Sequence, residues 1–152
     1  MKMTAITIIP LLALLAGSAV AADAPSAKRP LEGTWEMISG KWTENGKETA
    51  SLPGTISGGQ LKMYSPGYFV FVGRFKEGDK PASDNYGGGT YTLNGDDYSE
   101  TIQYHTATGI VGKTLHFKLV IKGNTMTLTG PITPENQKDF GLQLVEVYVR
   151  KD

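Results

Sequence analysis

From residue 33 onward, glycine and other turn-forming residues interrupt the chain about every ten residues, and apolar and polar side chains alternate between the interruptions. Alternation with a period of two places side chains on the two faces of a strand, whereas a helix repeats after about 3.6 residues. Eight strands are expected: 33–43, 60–64, 68–75, 89–93, 98–106, 114–122, 125–130 and 142–151. Ser65-Pro66-Gly67, Asn94-Gly95 and Gly123-Asn124 supply tight turns between neighbours. Short connections make neighbours antiparallel. Such strands fit an all-β, eight-stranded antiparallel up-and-down β-barrel, with a β-sandwich as the rival. One short helix is expected before the last strand. Thr133 would cap it, Pro134 would open its first turn, Glu135 would meet its positive end, and Gly141 would stop it.

Alternation also assigns faces. Tyr98, Glu100, Ile102 and Tyr104 form the apolar side of one strand and should point inward, leaving His105 outside. Leu115, Phe117, Leu119 and Ile121 should point inward with Met126 and Leu128, and His116 outward. Trp35 and Met37 share a face, but Trp42 is out of phase with them, and Gly40 is a candidate bulge. The run 68–72 is apolar on both faces and has no assignable inside. Two long connections, 44–59 and 76–88, are expected as loops, with Gly87-Gly88-Gly89 as a flexible turn.

The N-terminus carries an address. Lys2 gives a positive start, residues 6–16 are largely apolar, and Ala19-Val20-Ala21 fits the small-x-small pattern cut by signal peptidase. Residues 1–21 read as a secretory signal peptide, 22–30 as a flexible leader and 31–152 as one barrel domain, secreted or periplasmic. The apolar run is too short for a spanning anchor, which needs about 20 residues. The chain has no cysteine, so neither a lipid anchor through a thiol nor a disulfide can form. Fifteen basic and fifteen acidic residues balance, and loss of Lys2 would leave a net charge of −1. The charges are scattered, which argues against nucleic-acid and polybasic membrane partners.

Gly33-Thr34-Trp35 at the start of the first strand and Arg150 at the end of the last resemble the calycin (lipocalin-like) β-barrels. Gly87-Gly88-Gly89-Thr90-Tyr91 and Tyr98-Ser99-Glu100-Thr101-Ile102 are similar to the lipocalin-like domains of bacterial secreted proteins. The resemblance implies that Arg150 packs over the Trp35 indole, with Gly33 beside it, as a structural plug at one end. It also implies a long first loop, 44–59, across the open mouth. The Thr-Asp-Tyr motif of lipocalins and the Arg-x-Tyr pair of fatty-acid-binding proteins are absent. The plug conflicts with hydrophobicity in the last strand. Packing Arg150 on Trp35 takes Glu146 and Tyr148 inward and turns Val145, Val147 and Val149 out.

The candidate ligand-binding residues are Phe69, Phe71, Tyr91, Tyr98, Glu100, Ile102, Tyr104, Phe117 and Met126. This aromatic set with one acid suits a small apolar or amphipathic ligand. Glu100 is costly to bury unless a tyrosine or a basic residue serves it. No cofactor, metal site or catalytic residue is expected. His105 and His116 lack metal-ligand spacing, and no nucleophile motif is present. Two other readings remain: a packed barrel that binds or inhibits a protein through its loops, and a cofactor-free enzyme using Glu100 with Tyr98 or Tyr104. The chain should be a monomer or a weak homo-oligomer.

Overall fold

The computed structural model describes residues 30–134, 137–138 and 141–152. The expected signal peptide and residues 22–29 of the expected leader lie outside the described residues, as do four residues of the expected helix. Nine strands follow one another: β1 (Gly33–Glu44), β2 (Lys47–Leu52), β3 (Ile56–Ser65), β4 (Tyr68–Glu77), β5 (Ser83–Asn94), β6 (Asp97–His105), β7 (Thr114–Lys122), β8 (Thr125–Pro131) and β9 (Leu142–Arg150). All pair antiparallel, and β9 returns to pair with β1 from Trp35↔Arg150 to Glu44↔Leu142. That pairing closes an eight-stranded barrel and leaves no sandwich edge.

β2 is the added strand. It pairs with Gly40–Glu44 of β1, while Gly33–Glu36 of β1 pairs with β3. The expected long first loop, 44–59, is therefore a hairpin that turns at Asn45-Gly46 and continues the barrel wall. The expected 76–88 loop is also mostly strand, because β5 begins at Ser83. Gly87-Gly88-Gly89 is a buried stretch of β5 rather than a flexible turn. A Cβ at Gly87 would lie 2.7 Å from the Phe71 ring and 2.9 Å from His105, so glycine lets two inward rings close over the strand. The helix expected before the last strand is not found. The described residues between 132 and 141 carry no helix, and the one helical turn among the described residues is a 3-10 turn at Thr108–Ile110, ahead of β7.

Two bulges settle the faces. In β1 the pairing steps from Met37↔Tyr148 to Ser39↔Val147, so Ile38 is extra and stands 49% exposed. The bulge lies two residues before Gly40 and brings Trp42 back to the interior side, its ring folded over Gly40. In β6 the step from Gly89↔Ile102 to Gly88↔Tyr104 makes Gln103 extra. Tyr104 is consequently on the outer face, 72% exposed, and His105 turns inward against Phe71 at 5.4 Å between ring centroids. Both reverse the expectation from simple alternation.

In β9, Leu144, Glu146 and Tyr148 are buried and Val145 is exposed. The valines face out opposite Thr125, Thr127 and Thr129 of β8, so a row of β-branched pairs holds the outer surface. Arg150 sits 4.2 Å from the Trp35 ring centroid. Its guanidinium donates to the Glu32 carbonyl at 2.6 Å and to the Pro30 carbonyl, and the Trp35 Nε1–H donates to the Leu31 carbonyl at 2.8 Å. Gly33 has φ +124°, and a Cβ there would meet the Asp152 carboxylate and Arg150 Nη1. The barrel is thus closed at this end by a fully buried indole, a cation and the incoming chain.

Arg150→Ala should lower the unfolding free energy by about 2–4 kcal/mol, from the lost cation–π contact and two charge-assisted hydrogen bonds. Arg150→Lys should not restore it, because an ammonium cannot stack and fork at once. Urea unfolding measures this, and an unchanged midpoint for the alanine variant would contradict the plug.

Candidate functional site

The strand that sequence alternation reads poorly builds the site. β3 is inverted, with Gln60, Lys62 and Tyr64 inside while Leu61 is exposed. Its partner β4 fixes this: Lys62 pairs with Phe71 and Tyr64 with Phe69, and all four are buried. The Lys62 ammonium lies 5.0 Å from the Phe69 ring, 5.7 Å from Tyr64, 5.8 Å from Tyr98 and 6.0 Å from Phe71. Four aromatic rings thus surround a buried cation.

Lys62 Nζ donates to Glu100 Oε1, and the Tyr98 hydroxyl donates to the same oxygen at 2.7 Å. The buried acid is therefore served by both kinds of partner that its burial demands. Burial works most strongly against the Lys62 charge, but the Glu100 carboxylate, helped by Tyr64 and Glu146, holds its pKa above the usual lysine value. Burial pushes the Tyr64 phenol up to about 12, with Glu100 adding to the rise and Lys62 opposing it. Burial and the nearby Glu100 likewise raise Tyr98.

A second carboxylate approaches from β9. Glu146 accepts the Tyr148 hydroxyl at 2.7 Å, and Gln60 donates to the Tyr148 oxygen at 2.8 Å. Asn85 extends the chain by donating to Gln60 at 3.1 Å, and Thr106 donates to Asn85 at 3.1 Å. Burial raises the Glu146 pKa, opposed by the Lys62 charge and the Tyr148 hydrogen bond. Burial also raises Tyr148, and the Glu146 charge adds to that.

Above these groups lies a cavity of about 300 Å³. Gln60, Lys62, Glu100 and Glu146 line it together with apolar walls that include Ile102, Leu115, Leu128 and Leu144. Trp42, Ile110, Ile132 and the exposed Ala107 border it as well. His105 also faces it, its pKa lowered by burial against a smaller opposing pull from Glu100. A separate hollow of about 440 Å³ lies on the outer face of β4, β5 and β6, over Gly87–Gly89. It is larger but holds no charged side chain, whereas the interior cavity joins apolar walls to a polar, hydrogen-bonded floor.

Of the nine residues proposed from sequence, Phe71, Glu100, Ile102 and Phe117 line the interior cavity. Phe69 and Tyr98 are buried among the groups around Lys62, and Tyr98 orients Glu100. Tyr91 stacks near Tyr64 and Tyr98, 5.4 and 5.8 Å away, and does not border the cavity. Met126 is fully buried opposite Tyr148, also away from it. Tyr104 lies on the outer face and lines the outer hollow, which removes a Glu100–Tyr104 acid–base pair. His116 faces outward and meets Ser99 at 2.9 Å. Sequence reasoning missed Lys62, Gln60 and Asn85. For Lys62 the only available signal was the need of a buried Glu100 for a cation.

No protein-family model matches the sequence, and no curated protein matches it. Among solved structures the chain is similar to a lipocalin-like protein from Bacteroides uniformis, with 14% identity and a TM-score of 0.46 over 81% of this chain and 100% of that one. It is also similar to a redesigned β-barrel, with 15% identity and a TM-score of 0.48 over 81% of this chain and 93% of that one. The class of the protein, a closed eight-stranded antiparallel barrel with one plugged end, is defined by its own β1–β9 pairing.

Lys62→Met should cost about 3–5 kcal/mol, because it strands a buried carboxylate, and adding Glu100→Gln should return most of that loss. A double-mutant cycle by urea unfolding checks this, and additive losses would contradict the pairing. The pH profile follows from the raised phenols. Their contribution is complete below the unfolded value of 10.0 and is lost as pH rises toward about 12, where folded Tyr64 ionises. Glu146, raised from 4.5, favours folding only in its protonated form, so Glu146→Gln should be more stable than the parent at neutral pH and equal to it in acid. Urea midpoints across pH measure both effects, and parallel parent and variant profiles would contradict the Glu146 assignment.

Proposed function

We propose that this protein is an exported β-barrel that binds a small amphipathic molecule in its interior. The observation that carries the reading is the cavity of about 300 Å³ between the Lys62–Glu100 pair and the rim at Trp42, Ala107 and Ile110. Its volume is at the small end of the range for small-molecule sites, about 300–1,000 Å³. The walls would take an apolar body and the polar floor would orient one hydrogen-bonding group. The floor is already satisfied among the described residues, with no buried side-chain nitrogen or oxygen left unpartnered. A ligand would therefore gain mainly from the walls and from groups exposed to the cavity. Export rests on the N-terminal pattern of Lys2, the apolar run and Ala19-Val20-Ala21.

The cavity also separates this reading from the packed-scaffold alternative, which requires a filled interior. Trp42 borders the cavity while Trp35 is sealed at the plug, so indole fluorescence distinguishes the two ends. A panel of small alcohols, amines, acids and aromatic compounds should include binders that perturb Trp42, leave a Trp42→Phe variant silent in fluorescence, and register by native mass spectrometry. Ala107→Trp, which adds bulk at an exposed rim position, should weaken those binders by tenfold or more (about 1.4 kcal/mol) without loss of stability. Binding unaffected by the rim substitution, or no binder in the panel, would contradict the proposal.

A further inference from the structure

The interior charges do not balance. Among the described residues, one buried cation, Lys62, shares the interior with two buried carboxylates, Glu100 and Glu146. Glu100 takes both the ammonium and the Tyr98 hydroxyl. Glu146 is 8% exposed, borders the cavity, and among the described residues receives the neutral Tyr148 hydroxyl on Oε2. No basic residue is in ion-pair contact with it among the described residues. A buried carboxylate without a cation is a standing cost that a positively charged group entering the cavity would remove.

Resting on the reading of the cavity as a ligand site, we infer that its ligand carries a protonated amine that donates to the Glu146 carboxylate. The seated ammonium brings the interior to two positive and two negative charges. Ile102, Leu115, Phe117, Leu128 and Leu144 accept the rest of the molecule, which must be apolar and compact. A volume of about 300 Å³ corresponds to about ten water volumes, so the ligand is small.

The groups that face Glu146 agree with this charge. β3 contributes Gln60, Lys62 and Tyr64, and β6 contributes Tyr98, Glu100 and His105, while Tyr148 lies on the same strand as Glu146. The neighbouring β1 places Gly40 and Trp42 on the inner side, and β8 places Leu128, none of them titratable. Burial raises all three phenols and so favours their neutral forms, and burial lowers His105 against a smaller opposing pull from Glu100. Among the described residues the buried cation is Lys62, which is in ion-pair contact with Glu100 rather than Glu146, although its charge also acts on Glu146. An amine meeting Glu146 would expel the proton that burial favours on its carboxyl, so binding at mildly acidic pH is coupled to proton release.

The test is calorimetric titration of the protein with 2-phenylethylamine, 2-phenylethanol and phenylacetate, which share a body and differ in charge. The amine should bind at least about tenfold more tightly than the alcohol, and the acid most weakly. Glu146→Gln, which can still accept from Tyr148, should abolish the preference for the amine over the alcohol. On the unmodified protein at about pH 5, titration in two buffers of different ionisation enthalpy should show proton release with the amine and none with the alcohol. An alcohol or acid that binds as tightly as the amine, or amine binding that neither releases protons nor responds to Glu146→Gln, overturns the amine assignment and leaves the cavity reading intact. If none of the three binds while members of the wider panel do, the amine assignment also fails. If nothing binds at all, both fail.

Discussion

The ion pair between Lys62 and Glu100 is the constraint on which the interior depends. A lysine and a glutamate cannot be sealed in a barrel of this width unless they meet, and once they meet they fix how β3 and β6 face each other across the barrel. The aromatic side chains then have a defined task. Phe69, Tyr64, Tyr98 and Phe71 enclose the ammonium, and Tyr98 supplies the second hydrogen bond that Glu100 needs. The pair also divides the interior. Toward Trp35 and Arg150 the space is filled by buried rings and Met126, whereas on the other side it stays hollow.

That division explains why the two ends of one barrel differ so much. At the plugged end, the incoming chain at Pro30–Glu32 and the last strand converge on one guanidinium, which stacks on the indole and ties down two carbonyls. At the other end the wall is extended by β2 and by the 3-10 turn, and side chains stop short of meeting in the centre. The 44–59 segment therefore frames the mouth as a hairpin and strand rather than lying across it as a long loop. Under the proposed function, a ligand there would contact Trp42, Ile110 and the carboxylate of Glu146.

Much of the fold was legible because a barrel repeats one physical rule. Alternation placed Leu115, Phe117, Leu119, Met126 and Leu128 on the buried face, and turn residues marked the hairpins. Gly33, Trp35 and Arg150 named the closed end, and they outweighed the valines of β9, whose outward row opposite threonines follows strand propensity rather than burial. Legibility failed where a single residue shifted the phase. In β1 the break was readable from the phase of Trp42, but it falls at Ile38 rather than at Gly40. The extra Gln103 is invisible to a period-of-two argument, and it turned His105 inside and sent Tyr104 out. It failed again at β3, where the inward residues are the polar ones. Only the demand of Glu100 for a partner pointed across the barrel, and nothing local to Lys62 marked it. Gly87-Gly88-Gly89 looked like a turn because composition alone cannot distinguish freedom from close approach of the Phe71 and His105 rings.

The central claim is that the hollow half of the barrel, and not its outer surface, receives a small molecule. Methyl nuclear magnetic resonance during titration with 2-phenylethylamine or 2-phenylethanol tests it most directly, because suitable methyl groups lie in all three regions. Shifts should concentrate at Ile102, Leu115, Leu128 and Leu144, with Leu31 and Met126 at the plugged end unmoved. Shifts centred instead on Val70 and Val72, which line the outer hollow beside Tyr104, would contradict it.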